Sequence, residues 1–158
     1  MLKILLALDL SPHSQRAAEY VARVAPHLKG CRVTALVVSS GIPYGAQQSQ
    51  PVVADESTEP ELHGDEDHLQ EMKEVQSLLE EIKALLLKSG LDEDNLELRI
   101  KPLGRGVALD ILDEARALDC DTIVVGRRGL SKVKSLLLGS ISSTILQNAE
   151  GLTVWVVE

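Results

Sequence analysis

The 158-residue chain has a formal net charge of −8, no Phe, two Tyr and one Trp. Nucleic acids are recognised by basic surfaces and stacking rings, so a nucleic-acid partner is set aside. A membrane role is set aside too, because no apolar run approaches the roughly 18 residues of a spanning helix. The length suits one domain, 1–158, with a core that needs neither a disulfide nor a metal. Cys31 and Cys120 stand far apart beside strand-like runs, and a reduced, cytoplasmic protein is the expectation.

Leu2–Leu8 is an almost unbroken apolar run, the pattern of a central parallel strand covered by helices on both sides. Asp9 follows it. Ser11-Pro12 then supplies an N-cap and a proline at the first helical position, predicting a helix that runs towards Gly30 with Ala17, Val21, Val24, Ala25 and Leu28 inward. Val33–Val38 reads as the second strand. From Ser39 to about Glu66 no period survives, and 40–66 reads as a mobile, solvated insertion, the alternative being a lid. Asp67–Lys88 places Met72, Val75, Leu79, Ile82 and Leu86 on one stripe of a long helix closed by Gly90. Leu96–Lys101 alternates apolar with charged residues, as a half-exposed edge strand does. After a turn over 102–106, Val107–Leu118 forms a helix with Ala108, Ile111, Leu112, Ala115 and Leu118 inward. Thr122–Val125 and Thr153–Val157 are the last two strands, with a loop and a helix between them.

Strands alternating with helices in this way predict an α/β fold: an open five-stranded parallel sheet with helices on both faces, Rossmann-like. Such sheets bind ligands outside the carboxyl ends of their strands, where the strand order reverses. Asp9, Val38 and Gly126 all stand at predicted carboxyl ends.

The stretch after the fourth strand carries the most chemistry. Gly126, Gly129, Gly139 and Ser140 are spaced Gly-x2-Gly-x9-Gly-Ser, between a strand and a helix start. A helix N-terminus presents unpaired N–H groups at the positive end of its dipole, and glycine lets an anion approach the backbone, so the spacing points to phosphate. The Ser140 hydroxyl can add a bond or approach Mg2+. Arg127 and Arg128 bring positive charge to an acidic protein, facing either phosphate or solvent. No lysine follows the glycines, so this is not a P-loop. Read alone, Asp9 serves equally as a cap for the first helix, and the glycines as ordinary turn residues.

At these residues the chain resembles the universal stress protein family, in particular its ATP-binding branch. The resemblance extends over KILLALDLS, LVV, GVALDILDEA, DTIVVGRRGL and LLLGSISSTILQNA, nearly the whole chain. It implies an adenine-nucleotide alpha-hydrolase-like fold that binds ATP, with Mg2+. Asp9 would lie beside ribose and adenine, next to Ala7 and Leu8, with Val38 packed on the base and Val125 lining the pocket. Gly126, Arg127, Gly129, Gly139 and Ser140 would surround ribose and phosphates, and Ile141 and Ser142 would complete the helix start. The final strand opens Leu152-Thr153 where many relatives have proline.

The expected function is that of a stress-response regulator whose nucleotide state modulates its conformation or its dimer contacts. Homodimerisation would use the apolar strand TVWVV. The alternatives are a slow ATPase or self-phosphorylating protein, and an interaction module whose dimer matters more than its ligand. Nothing marks a general base or an arginine finger, so hydrolysis is expected to be weak at most.

Overall fold

The structure, a computed structural model, describes residues 1–40, 66–128 and 138–158. Residues 41–65 of the expected insertion, and Gly129, lie outside the described residues. Five parallel strands, β1 (Lys3–Leu8), β2 (Arg32–Ser39), β3 (Leu96–Pro102), β4 (Thr122–Gly126) and β5 (Thr153–Val157), form one sheet in the order β3-β2-β1-β4-β5. The doubly apolar β1 occupies the centre, paired with β2 from Lys3↔Arg32 to Leu8↔Val37 and with β4 from Ile4↔Thr122 to Leu6↔Val124. Connections first step outward through β2 and β3, then return to β4, so the strand order reverses between β1 and β4.

Strand periodicity divides the core into two layers. Ile4, Leu6 and Leu8 of β1 face α1 (Pro12–Val24) and α2 (Glu66–Lys88), against Ala17, Val21, Val75, Leu79, Ile82 and Leu86. Leu5 and Ala7 face α3 (Val107–Ala117) and α4 (Ser140–Asn148), against Ile111, Leu112, Ala115 and Ile145. This is the expected open sheet with helices on both faces. Both cysteines are free and buried, and burial pushes the Cys120 thiol up to about 11. No helix among the described residues is long and apolar enough to cross a membrane.

Helix ends follow local chemistry. After α2, Gly90 adopts φ 102, and Gly90 N and Leu91 N donate to Leu87 O and Leu86 O at 3.0 and 3.2 Å, satisfying carbonyls the helix leaves unpaired. The first helix ends earlier than expected. It stops at Val24 and passes into a single 3-10 turn over Ala25–His27 before reaching Gly30. Pro26 has no N–H to donate back into the helix, and its ring crowds the preceding turn.

β3 is the half-exposed edge strand expected, and one residue of α3 reaches its charged side chains. Glu114 of α3, its side chain 6% exposed, accepts from Arg99 Nη1 at 2.9 Å and from Lys101 Nζ at 2.7 Å. Arg99 Nε also donates to Glu97 Oε1 at 2.7 Å. Alternation reports that a strand has two unlike faces, and it cannot distinguish water from a buried counter-charge as the polar face's partner. Burial by itself would raise the Glu114 carboxyl, but Lys101 and Arg99 outweigh it and hold the group below the usual carboxylate range.

Glu114→Gln is therefore expected to cost about 2 kcal/mol at pH 7, the scale of a charge-assisted hydrogen bond. A depressed folded-state value means that the stabilisation is complete above the unfolded value of about 4.3 and is lost as pH falls through the folded one. Urea denaturation should separate the two proteins at neutral pH and bring them together at strongly acid pH.

Candidate functional site

The reversal of strand order opens a cleft at the carboxyl ends of β1 and β4. Its apolar side is made by Ala7 and Val125 from the sheet, Val107 and Ile111 from α3, and Ile141 from α4. Its polar side is made by Asp9, Ser14, Ser142 and Arg128. An apolar wall beside a few converging polar groups is the usual form of a small-molecule site.

Asp9 is placed by the turn that starts α1. Ser11, the N-cap, accepts through Oγ from Ser14 N at 3.4 Å, while its own N–H donates to Asp9 Oδ1 at 3.0 Å. Ser14 Oγ donates to the same Oδ1 at 2.6 Å and accepts from Asp9 N at 2.7 Å. Capping and site roles for Asp9 are thus compatible. Oδ1 serves the turn, and Oδ2 makes no hydrogen bond among the described residues.

Gly126 ends β4 under the first turn of α1. A Cβ built there would lie 2.8 Å from both the carbonyl carbon and the oxygen of His13. The contact is with backbone, which cannot swing aside, so this glycine is required by helix-to-strand packing whatever the cleft holds. Beyond it, Arg127 knits three elements together. Its N–H donates to Val157 O at 2.6 Å, its carbonyl accepts from Gly139 N at 3.0 Å, and its guanidinium pairs with the Glu158 carboxylate. Its side chain is therefore engaged with the chain's last residue.

α4 begins at Ser140 with Gly139 as N-cap, and no side chain caps it. Ser143 N donates to Gly139 O at 2.9 Å as the first helical bond. The N–H groups of Ser140, Ile141 and Ser142 make no hydrogen bond among the described residues. The buried Ser142 hydroxyl is committed elsewhere, donating to Gly126 O at 2.8 Å, and so ties the start of α4 to the end of β4.

Of the residues singled out from sequence, Ala7, Leu8, Asp9, Val125, Gly126, Ile141 and Ser142 line this one cleft. Gly139 and Ser140 immediately precede Ile141 at the helix entry. Val38 is not among the lining residues; it is paired with Lys101 in β3 and packs against the core layer that holds Ala7, Ile111 and Val125. Ser14, Val107 and Ile111 were not among the residues singled out for the pocket, and Arg128, left between phosphate and solvent, lines it. A serine five positions after Asp9 and three after the N-cap is a legible capping signal. The places of Val107 and Ile111 depend on how far α3 reaches across the sheet.

A model of the universal stress protein family matches residues 1–158. The chain belongs to the universal stress protein family. Among solved structures, a universal stress protein from Lactobacillus plantarum superposes with a TM-score of 0.75 at 21% identity, covering 99% of this chain and 97% of that one. The family's protein from Archaeoglobus fulgidus in complex with dAMP superposes at 0.66 and 19% identity, covering 100% and 98%. An Arabidopsis thaliana member with AMP bound gives 0.62 and 18%, covering 99% and 91%. No curated protein sequence matches the chain. At these identities the structural likeness speaks for the fold.

The close approach at Gly126 has a measurable consequence. Gly126→Ala should destabilise the ligand-free protein by about 1–3 kcal/mol, the usual cost of overpacking. Urea denaturation without nucleotide checks this. An unchanged midpoint would mean that the glycine serves only a ligand.

Proposed function

We propose that the cleft binds an adenine nucleotide, ATP in the first instance, and that the bound state regulates the conformation or assembly of the protein. The observation that carries this reading is the placement of two complementary half-sites across one strand reversal. At the β1 side, Asp9 Oδ2 offers an acceptor beside the apolar Ala7, Val125 and Ile111, suited to a sugar and a flat base. At the β4 side, the start of α4 offers backbone N–H groups and the positive end of a helix dipole, suited to phosphate. The relatives solved with dAMP and AMP support the same ligand class.

In this reading Ala7, Leu8, Asp9 and Val125 meet the nucleoside, and Gly139, Ser140, Ile141 and Ser142 meet the phosphates through the backbone. Gly126 acts by allowing α1 close. Gly129 and Val38 complete the set expected from the family. Among the described residues no three His, Cys, Asp or Glu side chains are grouped to hold a metal. A Mg2+ ion would enter on the phosphates, with Ser140 as its protein contact. It would supply charge neutralisation. The protein's own contribution is binding and orientation, and turnover is expected to be slow.

Gly139 has φ −60 and ψ 156, ordinary values for a side-chain-bearing residue. Gly139→Val should therefore fold normally and lose ATP binding, because the branched side chain obstructs the anion's approach. Calorimetric titration with ATP checks both proteins. A parent affinity weaker than about millimolar, or about 4 kcal/mol, would sink the nucleotide reading.

The edge strand β5 supports a second role as a dimer contact. Val154, Trp155, Val156 and Val157 are only half-buried, and among the described residues β5 has a strand neighbour on one side alone. Exposed apolar edges invite pairing with another copy. Val156→Lys is expected to shift the protein to monomer in sedimentation while circular dichroism stays unchanged; a dimer surviving the substitution would place the contact elsewhere.

A further inference from the structure

We propose that Ser14 is a positioning residue for ligand recognition: by holding Asp9 Oδ1, it presents Oδ2 as a fixed acceptor to a hydrogen-bond donor of the bound nucleotide. The inference rests on the nucleotide reading above and adds to it a residue and a selectivity. Ser14 is 4% exposed and lines the cleft. That hydroxyl closes a ring on a single residue, accepting from Asp9 N at 2.7 Å and donating to Asp9 Oδ1 at 2.6 Å. Ser11 N adds a second donor to Oδ1 at 3.0 Å.

Two donors on one oxygen fix the plane of the carboxylate and distinguish its two otherwise equivalent oxygens. The oxygen left over accepts only, since an ionised carboxylate has no proton to give. Its ligand counterpart must be a donor, which in a nucleotide is a sugar hydroxyl or an exocyclic amine. Ordering the carboxylate before the ligand arrives removes a cost that binding would otherwise carry. The helix start does not depend on this hydroxyl, because the N-cap bond runs from Ser14 N to Ser11 Oγ.

The test is titration of the full chain with ATP, 2′,3′-dideoxyATP and ITP, for the parent, Ser14→Ala, Asp9→Ala and the double variant. Ser14→Ala is expected to weaken ATP about tenfold, the scale of one lost hydrogen bond. It should also abolish the parent's preference for ATP over the dideoxy analogue if the donor is a sugar hydroxyl, or over ITP if it is the amine. In the Asp9→Ala background the Ser14 substitution should cost nothing further. Unchanged ATP affinity in Ser14→Ala, an equal loss with and without Asp9, or a preference that survives would each overturn the role of Ser14 while leaving nucleotide binding intact. Absence of ATP binding by the parent would instead overturn the nucleotide reading, and the role with it. Should Ser14→Ala fail to fold, Ser14→Cys, similar in size but a weak donor, carries the same comparison.

Discussion

The contact between the first turn of α1 and the end of β4 is the constraint on which the cleft depends. With no side chain at Gly126, the backbone of His13 sits where a Cβ would be. That approach brings the Asp9, Ser11 and Ser14 turn alongside the end of β4, and Ser142 grips the strand's final carbonyl, that of Gly126, from the start of α4. Three segments distant in sequence are thereby held around one point. A wider spacing at residue 126 would separate the carboxylate half of the cleft from the helix-start half.

The cleft's polarity follows from the same arrangement. In a protein with net charge −8, an anion needs a local source of positive potential, and the start of α4 supplies it on one side. Asp9 lies on the other side, where its charge repels phosphate and favours donors. On the proposed reading this opposition orients a nucleotide, with the nucleoside towards β1 and the phosphates towards α4. Ion pairing elsewhere has other duties. Arg127 joins the end of β4 to Glu158, and Glu114 pairs with Arg99 and Lys101 of β3.

Much of the fold was legible because its signals are local. The apolar run of β1, the stripe on α2 and the Ser11-Pro12 start each record an environment that neighbouring residues share. The misread end of α1 was a local signal passed over in favour of apolar spacing, whereas the ion pairing of β3 depends on a distant residue. Pro26 shortened α1 despite an unbroken apolar spacing, because the missing N–H outweighs periodicity. The alternation of β3 marked a half-exposed edge strand, which it is, but could not name Glu114 of α3 as the partner of Arg99 and Lys101.

For the candidate site, the chain alone determined the residue types and the strand ends they occupy. Asp9, Val125, Gly126 and the Gly139-Ser140 helix entry were marked by strand, turn and cap patterns that need no knowledge of packing. Tertiary structure decided which of them share a space. It put Val107 and Ile111 of α3 on the cleft wall and Val38 in the core layer behind it, turned the Arg127 side chain to Glu158, and gave Asp9 Oδ1 to the turn at the start of α1. The physical reason is that spacing along a chain specifies which face a residue occupies, whereas the reach of α3 across the sheet and the distance of α1 from β4 are set by close packing between elements far apart in sequence.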